Sequence, residues 1–403
     1  MCSRKSIPLC SYGDALKIAM FTDTYLPSRD GVVTSILLTK KELEKLGHEV
    51  FVFAPEPAAD EKREPGVYYF RSVGFKRYEG YRIPLFPTNK CQILNELGVD
   101  IIHTHGLLFM ALRSMFAGRT LRKPVVVTFH TMITDAAKYY NFTPFPDVMV
   151  QRLMWIYLKR VLQRSEVVIA PTEAIKKELL ASAPKMRRIE VVPTGVDSAR
   201  FHPGLDGTRV REKYGLIDKK VILHVGRIAW EKNLDLVLKG FEMLAKKHDD
   251  VRLMIVGAGP AKEHYEKMSE AMGLHDLITF TGFLPDDQLP EYYAACDVLT
   301  LASKFETQGL VGLEAMAIGK PVVGINYRAV AELIENGVNG YRFEEDPSSW
   351  MNAIEMALAN SKELGLSAIE SASKFSLADE TKRLVELYGF AIKAKADRVG
   401  RKD

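Results

Sequence analysis

Two carboxylates with seven residues between them, Glu306 and Glu314, stand in the run Glu306-Thr307-Gln308-Gly309-Leu310-Val311-Gly312-Leu313-Glu314, after an apolar stretch, DVLTLAS, that reads as a strand. Gly309 falls where a helix would begin, and free N–H groups there can receive a phosphate. Glu306 then lies in the loop beside the reacting end of a ligand. Glu314, more than a turn into the helix, can accept hydrogen bonds from both hydroxyls of a ribose. The pair marks opposite ends of one nucleotide-sugar. Two Glu at this spacing also arise on solvated helices, but the glycine between them and the strand before them favour a site. A second run, VILHV followed by Gly226-Arg227-Ile228-Ala229-Trp230-Glu231-Lys232-Asn233, puts two cations at a strand end. An arginine fork and a lysine point charge across a short loop suit a diphosphate better than two solvated surface charges do. No Asp-x-Asp follows these strands in a form suited to Mg²⁺. Metal-independent stabilisation of a leaving diphosphate, by Arg227, Lys232 and helix N-termini, is therefore expected, with no cofactor.

The first half carries weaker signals. Gly31 follows the opening strand KIAMFT and starts a helix, where it serves equally as a phosphate-approach glycine or as a turn. His130 leaves the apolar strand PVVVTF, and its exit aims the ring at a ligand edge. His103 and His105, in IIHTHG, read first as supports for their loop.

These residues need strands to carry them, and the chain supplies short β-branched runs alternating with helical patterns throughout. Strands are expected at Lys17–Thr22, Val50–Ala54, Val67–Arg71, Asp100–Thr104, Val125–Phe129, Val167–Ala170 and Glu190–Val192. A second set follows at Val221–Val225, Arg252–Val256, Ile278–Thr281, Val298–Leu301 and Val322–Gly324. Several are apolar throughout, as parallel strands covered on both faces must be. The alternation predicts a doubly wound α/β fold in two copies. Turn-forming residues cluster near 193–217, so the expected divisions are an N-terminal extension 1–16, a first domain 17–195, a second domain 196–375, and a helical tail 376–403 free to pack back on the first. Two such sheets facing each other leave a cleft at their ligand edges.

Length and composition agree. The 403 residues are 47% hydrophobic and 26% charged, which excludes a disordered or disulfide-scaffold chain. The net charge of +4 does not demand nucleic acid, yet residues 1–200 carry 29 Lys/Arg against 20 Asp/Glu. That excess points the first half at an anionic partner. Cys2, Cys10, Cys91 and Cys296 are scattered without metal spacing, the first sixteen residues lack a signal-peptide core, and no apolar run is long enough to span a bilayer. A cytoplasmic protein is expected.

Together PTGVD with FHP, GRIAWEKN, IVGAGP, FTGFLP and ETQGLVGLE resemble retaining glycosyltransferases of family 4, over essentially residues 17–390. The resemblance implies the GT-B fold, two Rossmann-like domains facing across a cleft, and transfer of a sugar from a nucleotide diphosphate-sugar with retention. It implies that Arg227 and Lys232 bind the diphosphate, Glu314 the ribose, and Glu306 and His130 the donor sugar, with Gly31 approaching the phosphates. Gly257, Phe283, Gly309 and Leu310 join the donor side. Asp30-Gly31 stands where Gly-Gly is common in the family. The segments FTDTYLPSRDGVVTSI, HTHG with VTFHT, and ETQGL look most like diacylglycerol glucosyltransferases, which implies a UDP-hexose, glucose foremost, and a glycerolipid acceptor. A phosphatidylinositol-type mannosyltransferase using GDP-mannose and a soluble-acceptor enzyme stand as alternatives.

The residues themselves also suggest a lipid acceptor. Residues 71–90 interleave Arg71, Lys76, Arg77, Arg82 and Lys90 with Phe75, Tyr78, Tyr81, Leu85 and Phe86, opposed only by Glu79. Residues 147–164 combine Met149, Leu153, Met154, Trp155, Ile156 and Leu158 with Arg152, Lys159, Arg160 and Arg164. Such mixtures suit an anionic bilayer surface. For 147–164 a core helix with snorkelling cations is an equal reading. Arg77, Tyr81, Arg82, Trp155 and Lys159 are assigned to the acceptor or membrane side, with Asp23 and Tyr25 beyond the first strand. The enzyme is expected to sit peripherally on the inner face of the cell membrane, its oligomeric state left open.

Overall fold

The computed structural model describes residues 15–75, 81–85, 90–132 and 145–400. The chain divides into two compact units, Met1–Pro193 with Leu377–Asp403, and Thr194–Ser376. In the first unit lie β1 (Lys17–Phe21), β2 (Glu49–Pro55), β3 (Val67–Phe70), β4 (Ser72–Gly74), β5 (Arg82–Pro84), β6 (Ile101–Thr104), β7 (Val125–Thr128), β8 (Val167–Ala170) and β9 (Ile189–Val191). Seven of them form a parallel sheet of order β3-β2-β1-β6-β7-β8-β9. Every residue of β6, β7 and β8 is buried, the continuous burial that an internal parallel strand requires. The helix Gly31–Lys45 after β1 begins where the Asp30 carboxylate accepts the Val33 N–H at 2.8 Å, and ends before Gly47 at φ +88°.

The second unit holds β10 (Lys220–Val225), β11 (Val251–Val256), β12 (Ile278–Gly282), β13 (Val298–Leu301), β14 (Val322–Ile325) and β15 (Gly340–Phe343). They form a parallel sheet of order β12-β11-β10-β13-β14-β15. All twelve expected strands are present, each within a residue of its expected ends. Three others went unread. β15 is four residues opened by a glycine. β4 and β5 pair antiparallel inside residues 71–90. The guanidinium of Arg82 closes this ribbon, donating to the Ser72 hydroxyl at 2.9 Å and the Ser72 carbonyl at 3.2 Å. Buried Arg113 on the helix Phe109–Thr120 then donates to the carbonyls of Pro84 and Leu85, at 3.1 and 2.7 Å.

The tail forms one helix, Leu377–Gly400, in the first unit. Leu384, Leu387, Tyr388 and Ala391 enter the same apolar cluster as Ile18, Met20, Val50 and Val52. Its far end is anchored at buried Glu166, whose carboxylate accepts the Val125 N–H at 2.7 Å and pairs with Arg187 at 3.1 Å, Lys395 at 3.7 Å, and Arg398. Removing a buried carboxylate shared by three cations leaves them uncompensated. Glu166→Ala is expected to cost about 3 kcal/mol in denaturant unfolding. It should also raise amide exchange along the last turns of Leu377–Gly400 before other helices open.

Candidate active site

In each unit the sequence-selected residues collect where the strand order turns back on itself. β1 pairs with β2 on one side and β6 on the other, so the loops after β1 and β6 leave a shared crevice. The Asp23 side chain, after β1, is buried and accepts the Leu108 N–H at 2.9 Å and the Met110 N–H at 3.0 Å. It therefore caps Phe109–Thr120 from a distant segment, because Leu108 supplies no side-chain cap. A Cβ at Gly106 would collide with this carboxylate and with the Asp23 backbone, which accounts for the glycine in IIHTHG. Burial raises the Asp23 carboxyl above its ordinary range, against the pull of the two N–H donors and Arg113. Tyr25 lies in the apolar core, its hydroxyl pushed up to about 12 chiefly by burial. Both side chains are thus held by the fold beyond the first strand.

Three histidines gather at the ends of β6 and β7, His103 inside β6, His105 just after it and His130 just after β7. His103 bridges the Tyr388 hydroxyl through Nδ1 and the Thr128 hydroxyl through Nε2, both at 2.7 Å. His105 Nδ1 lies 2.8 Å from His130 Nε2, with the two rings stacked at 5.1 Å between centroids. Burial holds the ring of His130 down to about 4 and that of His103 to about 3, and keeps His105 well below its usual value. All three are neutral at physiological pH. Gly31 is the exposed first residue of its helix, beside the Asp30 cap that already takes one free N–H.

In the second unit β10 pairs with β11 and β13, so its crevice lies between the loops after β10 and β13. Gly226 and Arg227 continue β10, a short 3₁₀ turn spans Trp230–Lys232, and Asn233 (φ +56°) turns the chain into the helix Leu234–Ala245. Gly257 (φ +138°) passes so close that a Cβ would strike the Gly226 carbonyl. That contact presses the loops after β10 and β11 together. Phe283, next along this edge, is exposed. After β13, Glu306 pairs with Lys232 at 2.6 Å, side chain to side chain. Gln308 clamps Thr194 with both ends of its amide, accepting the backbone N–H at 2.9 Å and donating to the carbonyl at 2.7 Å. Gly309 (φ +82°) starts the helix Leu310–Ile318, a conformation that a side chain would strain. The structure therefore brings Lys232, Glu306 and the start of that helix to one edge, with Arg227 in the same β10 loop.

Glu314 sits one helical turn farther on and accepts a 2.6 Å hydrogen bond from the Tyr293 hydroxyl. Burial raises its carboxyl to about 7, while Tyr293 and Arg200 pull it down. Tyr293 and Arg200 were missed: neither has a local signature, since each reaches Glu314 only through the tertiary fold. Gln308 stood within a quoted motif, but its partner lies 114 residues away.

On the first unit the helix Asp147–Arg164 answers both readings of its sequence. Its C-terminal half buries Leu158, Val161 and Leu162. Its N-terminal half exposes Val148, Met149, Leu153 and Ile156, with Arg152, Lys159 and Arg160 also outward. Leu112 and Phe116 on Phe109–Thr120 are exposed as well, and were not anticipated. Trp155 and Tyr81 are half-buried, and Arg82 is engaged in the β4–β5 ribbon. Arg77 lies outside the described residues. Among the described residues no helix is long and apolar enough to cross a membrane, and no cluster of three or more His, Cys, Asp or Glu is arranged to hold a metal ion.

Residues 29–200 match the family described as Glycosyltransferase Family 4, and residues 207–375 match Glycosyl transferases group 1. The alpha-monoglucosyldiacylglycerol synthase of Streptococcus pneumoniae is 32% identical over 387 residues, covering 94% of this chain and 86% of that protein. The chain is a family 4 glycosyltransferase. The enzyme of the same name from Acholeplasma laidlawii is 28% identical over 344 residues, covering 82% of this chain and 85% of its own. The fold of this glycosyltransferase is GT-B. Anabaena HepE, solved in complex with UDP-glucose, superposes with a TM-score of 0.76 at 19% identity, covering 92% of this chain and 99% of that one.

The buried carboxyl of Glu314 in the glycosyltransferase gives a pH signature. Its native value exceeds the unfolded one, so the folded state holds a proton between about pH 4.5 and 7 that the unfolded state releases, and stability falls as pH rises through that window. Glu314→Gln, always neutral, should stabilise the enzyme by about 3 kcal/mol at pH 8 and by little at pH 4.5, read from urea midpoints at both values.

Proposed function

We propose that the enzyme moves a hexose, glucose foremost, from a UDP-sugar to the hydroxyl of a diacylglycerol-like glycerolipid, with retention and without an essential metal, while attached peripherally to the inner face of the cell membrane. The observation that carries the donor half is the edge formed after β10 and β13, where Lys232, Glu306 and the Gly309 helix start meet. In this reading Arg227 and Lys232 take the diphosphate, N–H groups at the helix start add their partial charge, and Glu314 takes the ribose. Gly257, Phe283 and Leu310 line the donor side, and Gly31 approaches the phosphates. His130 on the first unit and Glu306 on the second are assigned to the sugar.

The bond from the anomeric carbon to the β-phosphate oxygen breaks as positive charge grows on that carbon. The lipid oxygen forms its bond from the same face, and its proton passes to the departing phosphate, so UDP leaves and the configuration is kept. Arg227 and Lys232 act by stabilising charge that grows on the leaving oxygen.

Support for the lipid acceptor comes from the outward apolar and cationic side chains of Asp147–Arg164, an arrangement suited to an anionic interface, and from the names of the two relatives. The finer choice of glucose and uracil follows those relatives and the UDP-glucose complex.

A screen of UDP- and GDP-sugars against diacylglycerol, phosphatidylinositol and soluble acceptors should give a monohexosyl diacylglycerol from UDP-glucose. A product only from GDP-mannose, or only with a soluble acceptor, would displace this reading. Arg227→Ala should lower kcat/KM by about 10²–10³-fold. Each cation near an anionic surface contributes about 1 kcal/mol. The double change Lys159→Ala with Arg160→Ala should therefore weaken sedimentation with anionic vesicles about 30-fold, and by much less with neutral ones.

A further inference from the structure

We infer that His105 is a positioning residue that sets the tautomer of His130, so that His130 carries its proton on Nδ1. The inference rests on the reading of His130 as a sugar-contacting group and goes beyond it, since nothing in the comparisons gives His105 a role.

The geometry leaves two arrangements. His105 Nδ1 and His130 Nε2 are 2.8 Å apart, and with both rings neutral one nitrogen bears the shared proton and the other accepts it. If His130 Nε2 donated, His105 would be protonated on Nε2. Among the described residues that atom is buried without any hydrogen-bond partner, so the proton would be an orphaned donor in the interior. If His105 Nδ1 donates instead, its Nε2 is a bare acceptor, and orphaned buried N–H donors are rarer in folded proteins than under-satisfied carbonyl acceptors. The second arrangement is the one the fold favours, and it leaves the proton of His130 on Nδ1.

The surroundings hold His105 in this role. Its backbone N–H is fixed to the Phe21 carbonyl at 2.7 Å, and its ring packs between those of His103 and His130, with centroids 4.0 and 5.1 Å away. His103 is itself tied at both nitrogens, to Tyr388 and Thr128, so it cannot take over the bond to His130. In the sequence, His105 is a loop residue two positions from another histidine; only the fold gives it a partner on the next strand.

The test uses the full-length enzyme. With histidines labelled in ¹⁵N, long-range ¹⁵N–¹H spectra of the unliganded protein, assigned by loss of signals in His130→Ala, should show His130 protonated on Nδ1. His105→Ala should lower kcat about 10–100-fold with KM for the nucleotide-sugar little changed, and should let His130 populate both tautomers. In His105→Asn the amide N–H stands where Nδ1–H stood, and most of the lost kcat should return. A His130 protonated on Nε2 in the wild type would overturn the inference, whatever the kinetics. So would a His105→Ala enzyme with normal kcat while His130→Ala is inactive. A His130→Ala enzyme of full activity would instead refute the assignment of His130 to the sugar, the Nδ1 tautomer then standing as a structural fact without a catalytic role.

Discussion

A central parallel strand flanked on both sides by its own successors forces the chain to open at one place. β10 is bracketed by β11 and β13, β1 by β2 and β6, and in each case the connections leave to opposite faces of the sheet. The backbone after these strands has no strand to pair with and must find other partners or a ligand. Groups of chemical interest gather beside these places: Asp23 and His105 after β1 and β6, with His130 after the adjoining β7, and Arg227, Lys232, Glu306 and Gly309 after β10 and β13. The crevice is a consequence of strand order, and the chemistry follows from what the two loops beside it carry.

The loops of the second unit are stiffened by backbone contacts as well as by side chains. Gly226 and Gly257 run in contact, the Gly226 N–H donates to the Val256 carbonyl at 3.0 Å, and the Ile228 N–H donates to Ala258 at 2.9 Å. Gln308 adds a third tie by holding Thr194 through its backbone, which joins the PTGVD segment to the loop after β13. A cation mounted on such a floor loses little further freedom when it meets a ligand. This is why glycines, usually a liability in conformational entropy, recur beside the charged residues here.

How far the molecule was legible follows from the range of each interaction. Strands such as VVVT and VVIA announce themselves because burial on both faces leaves a continuous apolar run. The charged and glycine positions of the second unit were readable because loop, strand end and helix start are adjacent in sequence. What was not readable depends on distant partners. Asp23 caps a helix that begins more than eighty residues later, a role its own segment does not announce. Tyr25 enters an apolar core built from distant strands. Arg82 closes a ribbon whose strands are three residues each, too short for a periodic pattern. The helix Asp147–Arg164 could not be settled from composition, because half of it does one thing and half the other.

The charges at the second-unit crevice also explain why Gly309 matters. A nucleoside diphosphate-sugar brings two negative charges to the place assigned to it. Arg227 and Lys232 supply two positive ones, but Lys232 already shares its charge with Glu306 at 2.6 Å. The side chains alone leave the balance one charge short. In the proposed reading amide groups supply part of the remainder, since their dipoles at a helix start amount to roughly half a positive charge. Those N–H groups are available only if the chain turns into Leu310–Ile318 abruptly, through a left-handed residue that contributes no side chain, and Gly309 at φ +82° is that residue. In that reading the ion pair and the glycine are two parts of one arrangement: Glu306 keeps the lysine in place in the free enzyme, and the helix start offsets about half of the charge that this pairing withholds.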